Sequence, residues 1–251
     1  MKHGMRRRDF VGTAAVATVR PTLAEKEPRP PLVLWYRRPA AQWIEALPVG
    51  NGRLGAMVFG GVEQERLQLN EETVWEGFRR DVNNPAALKA LGEVRRLLFE
   101  GKNEEATKLA GQAMMGIPQR IKSYQTLGDL RLEAYYPMPV EDYRRELDLD
   151  TGVVTVRYRA GNVTYTREVF ASAPDNALVM RISADKPGRI TARLSLTRPQ
   201  DAVCVSEAGG LVLRGRIEAR DQKTGEQKGM RFEAQLAAVA SGGKVSSKDG
   251  R

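Results

Sequence analysis

The sequence predicts a mainly β fold: a large antiparallel β-sandwich carrying an inserted helical hairpin. Three observations carry this. From Gly128 onward, short runs of alternating polar and apolar residues recur with turn residues between them. Residues 84–115 replace that alternation with helical periodicity. Between them in importance stands Leu47–Gly77, around which the chain is organised. It opens on Gly50-Asn51-Gly52, a turn that suits residues tolerating positive φ. The apolar run Leu54–Phe59 follows as a buried strand, Gly60-Gly61 breaks it, and Glu65–Asn70 alternates as a half-buried partner. At 251 residues, with 41% hydrophobic and 28% charged, the chain has ample material for a core.

Taken in order, residues 1–24 read as an export signal. Arg7 and Arg8 with Phe10 and Val11 fit the twin-arginine pattern, a modest apolar region runs to Val19, and Thr22-Leu23-Ala24 offers small residues for cleavage. The competing reading is a basic tail. An apolar run this short spans no membrane. Glu25–Pro31 is a Pro- and charge-rich linker, and the domain proper runs from residue 32 to 251. Leu32–Tyr36 is a short strand, and Arg37–Trp43 leads into the organising stretch.

The clearest helix is Asn84–Glu100, capped by Asn83 or Asn84, with Pro85 in its first turn. Leu88, Leu91, Val94, Leu97 and Leu98 fall on one face, and Gly101 is the stop. A second helix, Asn103–Met115, has Asn103 as cap and Glu104 and Glu105 in its first turn. Met114 and Met115 read as packing residues. The later strands are Leu130–Ala134, Tyr143–Asp150, Val153–Arg159 (Val154, Val156 and Tyr158 on one face), Val163–Phe170, Ala177–Ser183, Ile190–Leu196, Ala202–Val205, Leu211–Arg216 and Arg231–Ala240. Asp221–Gly229 is a polar, mobile loop. Lys244–Arg251 approaches a turn at Asp249-Gly250 with no strand after it, so the sandwich reads as truncated at its C-terminus.

Several function classes are excluded. Net charge is +9, but the basic residues are scattered along strand patterns and no zinc-finger or RNP motif occurs, which argues against nucleic acid. Cys204 is the single cysteine, so no intramolecular disulfide exists, and it reads as a small buried hydrophobe. The single histidine, His3, lies in the export segment. The mature chain therefore offers no Ser-His-Asp triad, no Cys-His dyad and no ordinary zinc site, and no cofactor or metal is expected. Gly50, Gly52 and Gly55 make no dinucleotide loop, because a strand follows them. Asn162-Val163-Thr164 fits a sequon by pattern but reads as a hairpin turn.

Carboxylates are plentiful (Glu45, Glu63, Glu65, Glu71, Glu72, Asp129, Asp148 and Asp150), yet none sits where a raised pKa is forced, so no catalytic residue is assigned. The polar cluster Asn70, Glu71, Glu72 and Thr73 beside Trp75 suits a loop touching sugar. Its bland alternative is a turn whose Trp closes one end of the core.

The motifs Trp43–Gly55, Gln68–Trp75, Asn83–Pro85, Tyr124–Leu130, Tyr143–Asp150 and Tyr165–Ser172 together resemble the N-terminal domain of glycoside hydrolase family 95, the inverting α-L-fucosidases. The resemblance runs from Leu32 to the C-terminus in the family's order. It implies a long protein: an N-terminal β-supersandwich, an (α/α)6 barrel holding the catalytic acid and the Asn-assisted base, and a C-terminal β domain. It implies no metal, a fucosylated or L-galactosylated glycan as substrate of the full-length enzyme, and no catalytic residue within this chain. Asn51, Arg53, Asn70, Glu71 and Trp75 are then candidates for contacts at the cleft rim or at the interface with the barrel. Two other readings compete: a freestanding carbohydrate-binding module using Trp35, Trp43 and Trp75, and an interaction module pairing with a separately encoded barrel. The expected location is periplasmic or extracellular.

Overall fold

The computed structural model describes residues 32–136, 138–207, 209–221 and 224–247. The export signal, the linker and the Asp249-Gly250 turn lie outside the described residues. Among the described residues, three antiparallel sheets form. The first joins β1 (Val33–Tyr36), β6 (Val140–Asp148), β7 (Val153–Ala160), β8 (Val163–Ser172) and β9 (Ala177–Ala184) in that order. The second runs β10 (Ala192–Thr197), β5 (Gly128–Ala134), β4 (Gln64–Glu71), β3 (Leu54–Val58) and β2 (Leu47–Gly50). The third is β11 (Ala202–Glu207), β12 (Gly210–Arg216) and β13 (Arg231–Leu236). The expected mainly β sandwich is therefore present, with α1 (Ala87–Phe99) and α2 (Asn103–Ala113) inserted between β4 and β5.

The inner faces of the two large sheets share one core. Val49, Ala56, Val58, Leu67 and Leu69 come from the second sheet, and Leu147, Val154, Val156, Tyr158 and Val169 from the first. The period-2 alternation of each strand puts these residues inward together. Leu211, Leu213 and Phe232 of the third sheet join the same cluster. Cys204 packs against it from β11, part-buried and in no disulfide. The β7–β8 hairpin turns on Gly161-Asn162 between the paired Ala160 and Val163, with Gly161 at φ +59°.

A buried ion pair crosses between the sheets. Arg167 on β8 reaches Glu65 on β4, Nη1 to Oε2 3.1 Å, and both side chains are 1% exposed. Arg167 also donates to the carbonyls of Gly61 and Val62 and to the Tyr158 hydroxyl. Glu65 Oε1 accepts the amides of Gly60 (2.8 Å) and Arg66 (3.0 Å). The β3–β4 loop that supplies these groups depends on its glycines. Gly60 has φ +75°, and a Cβ there would lie 2.5 Å from the Tyr143 hydroxyl oxygen. A Cβ on Gly61 would lie 1.9 Å from the Gln64 carbonyl oxygen.

Several expectations are corrected. The stretch Leu54–Phe59 is not buried throughout: only Ala56 and Val58 of β3 are sealed, because the sheet's other face is open. β2 and the 3-10 turn Trp43–Glu45 went unread, being too short for a periodic signal. α1 begins at Ala87, and neither asparagine caps it. Asn84 instead accepts the Ala86 amide on its Oδ1 and donates through Nδ2 to the Ala113 and Met115 carbonyls. Asn103 is the first residue of α2 rather than its cap, and α2 ends at Ala113. The apolar face of α1 divides: Val94 and Leu97 pack on Ala106, whereas Leu88 and Leu98 are exposed. Met114 packs on this small core, but Met115 is exposed. β10 starts at Ala192 and β13 stops at Leu236, both shorter than expected. Within 218–229 the described residues are drawn together by a bridge between Arg220 and Gln227, by the Asp221 amide donating to the Glu226 carbonyl and by the Gly225 amide donating to the Asp221 carbonyl.

Burial pushes the Glu65 carboxyl up, against the pull of the Arg167 charge and of the amides on its other oxygen. Replacing Arg167→Met leaves that carboxylate buried without its counter-ion, which is expected to cost about 3–5 kcal/mol in urea denaturation of the full chain. The folded-state pKa of Glu65 then rises further above its unfolded value, so the deficit shrinks as pH falls through it. The Glu65→Leu/Arg167→Met double variant is expected to recover part of the loss.

Candidate functional site

The β3–β4 hairpin ends in the corner where the sequence places its candidate residues. Asn51 builds the turn that starts it. Its Oδ1 accepts the amides of Arg53 (3.0 Å) and Leu54 (2.7 Å), and its Nδ2 donates to the Ser172 carbonyl (2.8 Å). This Asx-type arrangement spends the whole side chain on structure. Gly52, at φ +92°, completes the turn.

Arg53 then reaches across the hairpin to Glu71, Nε to Oε1 3.2 Å. The other Glu71 oxygen accepts both the amide (2.9 Å) and the hydroxyl (2.6 Å) of Thr73. Partial burial pushes the Glu71 carboxyl up, but the Thr73 hydroxyl and amide and the Arg53 guanidinium outweigh it and hold the group below the usual carboxylate range. Trp75 donates its Nε1 to the Glu72 carbonyl at 3.0 Å. Its ring meets that of Tyr124 edge-on, centroids 5.1 Å apart. The Tyr124 hydroxyl donates to the Glu71 carbonyl at 3.0 Å. Burial, with the charges of Glu71 and Glu72 nearby, pushes that hydroxyl up. Trp75 is 40% exposed and Tyr124 is 42%. The bland expectation of a buried Trp closing the core is thereby corrected, since Val74 takes that place.

The corner continues as a ribbon. Trp75 pairs with Tyr124, the Glu76 amide donates to Ser123, Lys122 bridges to Glu76 at 2.9 Å, and Arg80 donates to the Arg120 carbonyl. Arg53, Glu71 and Trp75 thus come together. Asn70 does not join them: it pairs with Gly55, and alternation from the buried Leu69 sets it on the opposite face. Thr73, read from sequence as part of the polar cluster, joins them through Glu71, whereas Tyr124 was not singled out, because nothing local links it to Trp75 across the helical insertion.

The remaining carboxylates are structural or open to solvent. Glu45 accepts the Ala41 and Gln42 amides, which hold it low. Asp129 pairs with Arg66 and Arg131, and Asp148 closes the β6–β7 turn through the amides of Asp150 and Thr151. Glu63, Glu72 and Asp150 are exposed. The other tryptophans stand apart from the corner. Arg144 lies 4.7 Å from the centre of the Trp35 ring, and Trp43 donates to Gln68. Among the described residues no two tryptophans stack, and no group of three His, Cys, Asp or Glu could hold a metal. None of the described helices is long and apolar enough to cross a membrane. Because the folded Glu71 pKa is depressed, its contribution to stability is present above the unfolded pKa and is lost as pH falls through the folded one. The Arg53→Ala/Thr73→Val variant is expected to move the Glu71 carboxyl titration upward toward the ordinary range, followed by carbon-detected NMR.

Residues 34–251 match the family described as glycosyl hydrolase family 65, N-terminal domain. The chain is 38% identical over 240 residues to alpha-L-fucosidase 2 of Arabidopsis thaliana, covering 88% of this chain and 28% of that protein. It is 34% identical over 147 residues to the probable alpha-fucosidase A of Aspergillus niger, covering 56% of this chain and 18% of the relative. The corresponding protein of Aspergillus oryzae is 32% identical over 161 residues, 60% of this chain and 21% of the relative. The chain therefore spans less than a third of the length of these fucosidases. The resemblance read from the motifs is borne out, and the chain belongs to the family of glycosyl hydrolase N-terminal domains.

Proposed function

We propose that this chain is the non-catalytic N-terminal β-sandwich domain of an exported α-L-fucosidase-like glycoside hydrolase. Hydrolysis of terminal α-L-fucosyl linkages, with inversion, is then the work of an (α/α)6 barrel outside these residues, and the fucosylated glycan is bound by the full-length enzyme. The observation that carries the reading is the identity to alpha-L-fucosidase 2 across 88% of this chain but only 28% of that protein. The site chemistry supports it. A general acid needs a raised pKa at a place substrate can reach, and Glu65, which is raised, is sealed against Arg167, whereas the accessible Glu71 is held low. Arg53, Glu71 and Trp75 then act as a rigid rim or interface corner.

A second reading, a freestanding carbohydrate-binding module, is favoured by the exposure of the Trp75–Tyr124 pair. The two separate cleanly. The purified chain is expected to release nothing from an aryl α-L-fucoside; turnover abolished by one carboxylate substitution would sink the non-catalytic reading. Calorimetry against a fucosylated oligosaccharide at millimolar concentration is expected to show no saturable heat. A binding heat that Trp75→Ala removes favours the module instead.

Export is proposed from the twin-arginine pattern. The Arg7→Lys/Arg8→Lys variant is expected to accumulate in the cytoplasm as the unprocessed chain, read by immunoblot of cell fractions. Unchanged delivery of the variant would refute a twin-arginine route.

A further inference from the structure

The geometry points to a binding site for one water molecule inside the sandwich, bonded to Arg167 at the flank where the two large sheets part. The site is independent of the activity proposed above. β9 is an edge strand of the first sheet and β10 of the second, and among the described residues no pairing joins them. Behind this open flank lies a cavity with about 10 Å³ open to the centre of a water molecule, which is room for one. Register sets its walls. On the first sheet Arg167 pairs with Ile182, and on the second the alternation of β5 turns Ala134 inward after the buried Leu132. Tyr136 and Thr191 add hydroxyl-bearing side chains to the lining.

Hydrogen-bond capacity selects the ligand. A guanidinium carries five N–H groups. Four of those on Arg167 are spoken for: Nη1 donates to the Gly61 carbonyl and to Glu65, and Nη2 to the Val62 carbonyl and the Tyr158 hydroxyl. The fifth, on Nε, is buried and has no acceptor among the described residues. Leaving a buried donor unmet is costly, and the side chain that carries it lines the cavity. The Tyr136 hydroxyl lies beside the same guanidinium. It shares one bond with the Tyr158 hydroxyl, 2.5 Å away, and keeps capacity for a second. With the Thr191 hydroxyl, the site offers about three polar partners, the usual number for a buried water. A halide fits less well. Glu65 already matches the Arg167 charge at 3.1 Å, so an anion would lose its hydration with no net positive charge to meet it. A dry cavity fits less well too, because cavities that stay dry are lined by apolar groups. The water thus completes the bonding of Arg167 and ties β8 to the connection 185–191, which Tyr165 also holds by donating to the Arg189 carbonyl at 3.2 Å.

The test is oxygen-17 relaxation dispersion of the solvent, measured on the purified full chain, which counts water molecules held inside for longer than the chain takes to tumble. Ala134→Val puts two further methyl groups into the cavity. Its dispersion amplitude is expected to fall by about one water molecule relative to the native chain. An unchanged circular dichroism spectrum shows that the variant folds. An unchanged amplitude overturns the proposal, and a urea midpoint raised at the same time identifies the cavity as dry. A second measurement needs no variant. In crystals of the native chain soaked in sodium bromide, an isolated density peak within hydrogen-bond reach of Arg167 Nε, without anomalous signal, is the expected result. A bromide signal at that place assigns the site to an anion, and no peak there leaves Nε unmet; either result overturns the proposal.

Discussion

The contact between Arg167 and Glu65 sets the relation between the two large sheets. Hydrophobic burial alone holds two β faces together but fixes their register weakly. A slip of one residue in β4 would turn Leu67 and Leu69 to the outside and carry Glu65 with them, leaving Arg167 buried without its carboxylate. Such a charge is costly, so the slipped pairing is penalised twice. Arg145 does a related task on β6. It is sealed and donates to the carbonyls of Arg38 (2.8 Å) and Glu45 (2.7 Å), and its guanidinium lies 4.3 Å from the centre of the Tyr36 ring. The two arginines between them pin the chain on both sides of the organising hairpin.

That pinning explains why the corner can be exposed and still ordered. Its side chains meet solvent, but each hangs on a backbone that is held from beneath: Asn51 on Ser172, Val74 in the core, Gly60 and Gly61 clamped over Arg167. Glu71 answers Arg53 and Thr73 at once, and Tyr124 is tied to the carbonyl of that same residue. A corner assembled in this way has little ordering entropy left to lose on contact.

The sandwich was legible because its strands alternate so regularly. Val154, Val156 and Tyr158 could be assigned to one inward face from spacing alone, and all three are fully buried. The hairpin between β3 and β4 was legible for the same reason, with Gly60-Gly61 as its break. What escaped has a common cause: it depends on contacts far apart in sequence. Glu65 reads as one more charged residue of an alternating strand, and its partner lies 102 residues on. Trp75 reads as a core residue until Tyr124 is set beside it, and the loops and helices of residues 76–123 separate the two. Asn84 reads as a helix cap because Asn favours that position, whereas tertiary bonds to the end of α2 claimed its amide. Local propensity yields wherever a long-range partner offers a better bond.

The Asn84 clamp has a consequence for how this architecture can vary. By bonding the carbonyls of Ala113 and Met115, it brings the entry and the exit of the two-helix insertion to one point. Lengthening or shortening both helices together would move the tip outward or inward by about 1.5 Å per residue, with the strands on either side undisturbed. The insertion is a telescoping arm on a fixed mount. Descendants of one ancestral sandwich could differ in its reach alone.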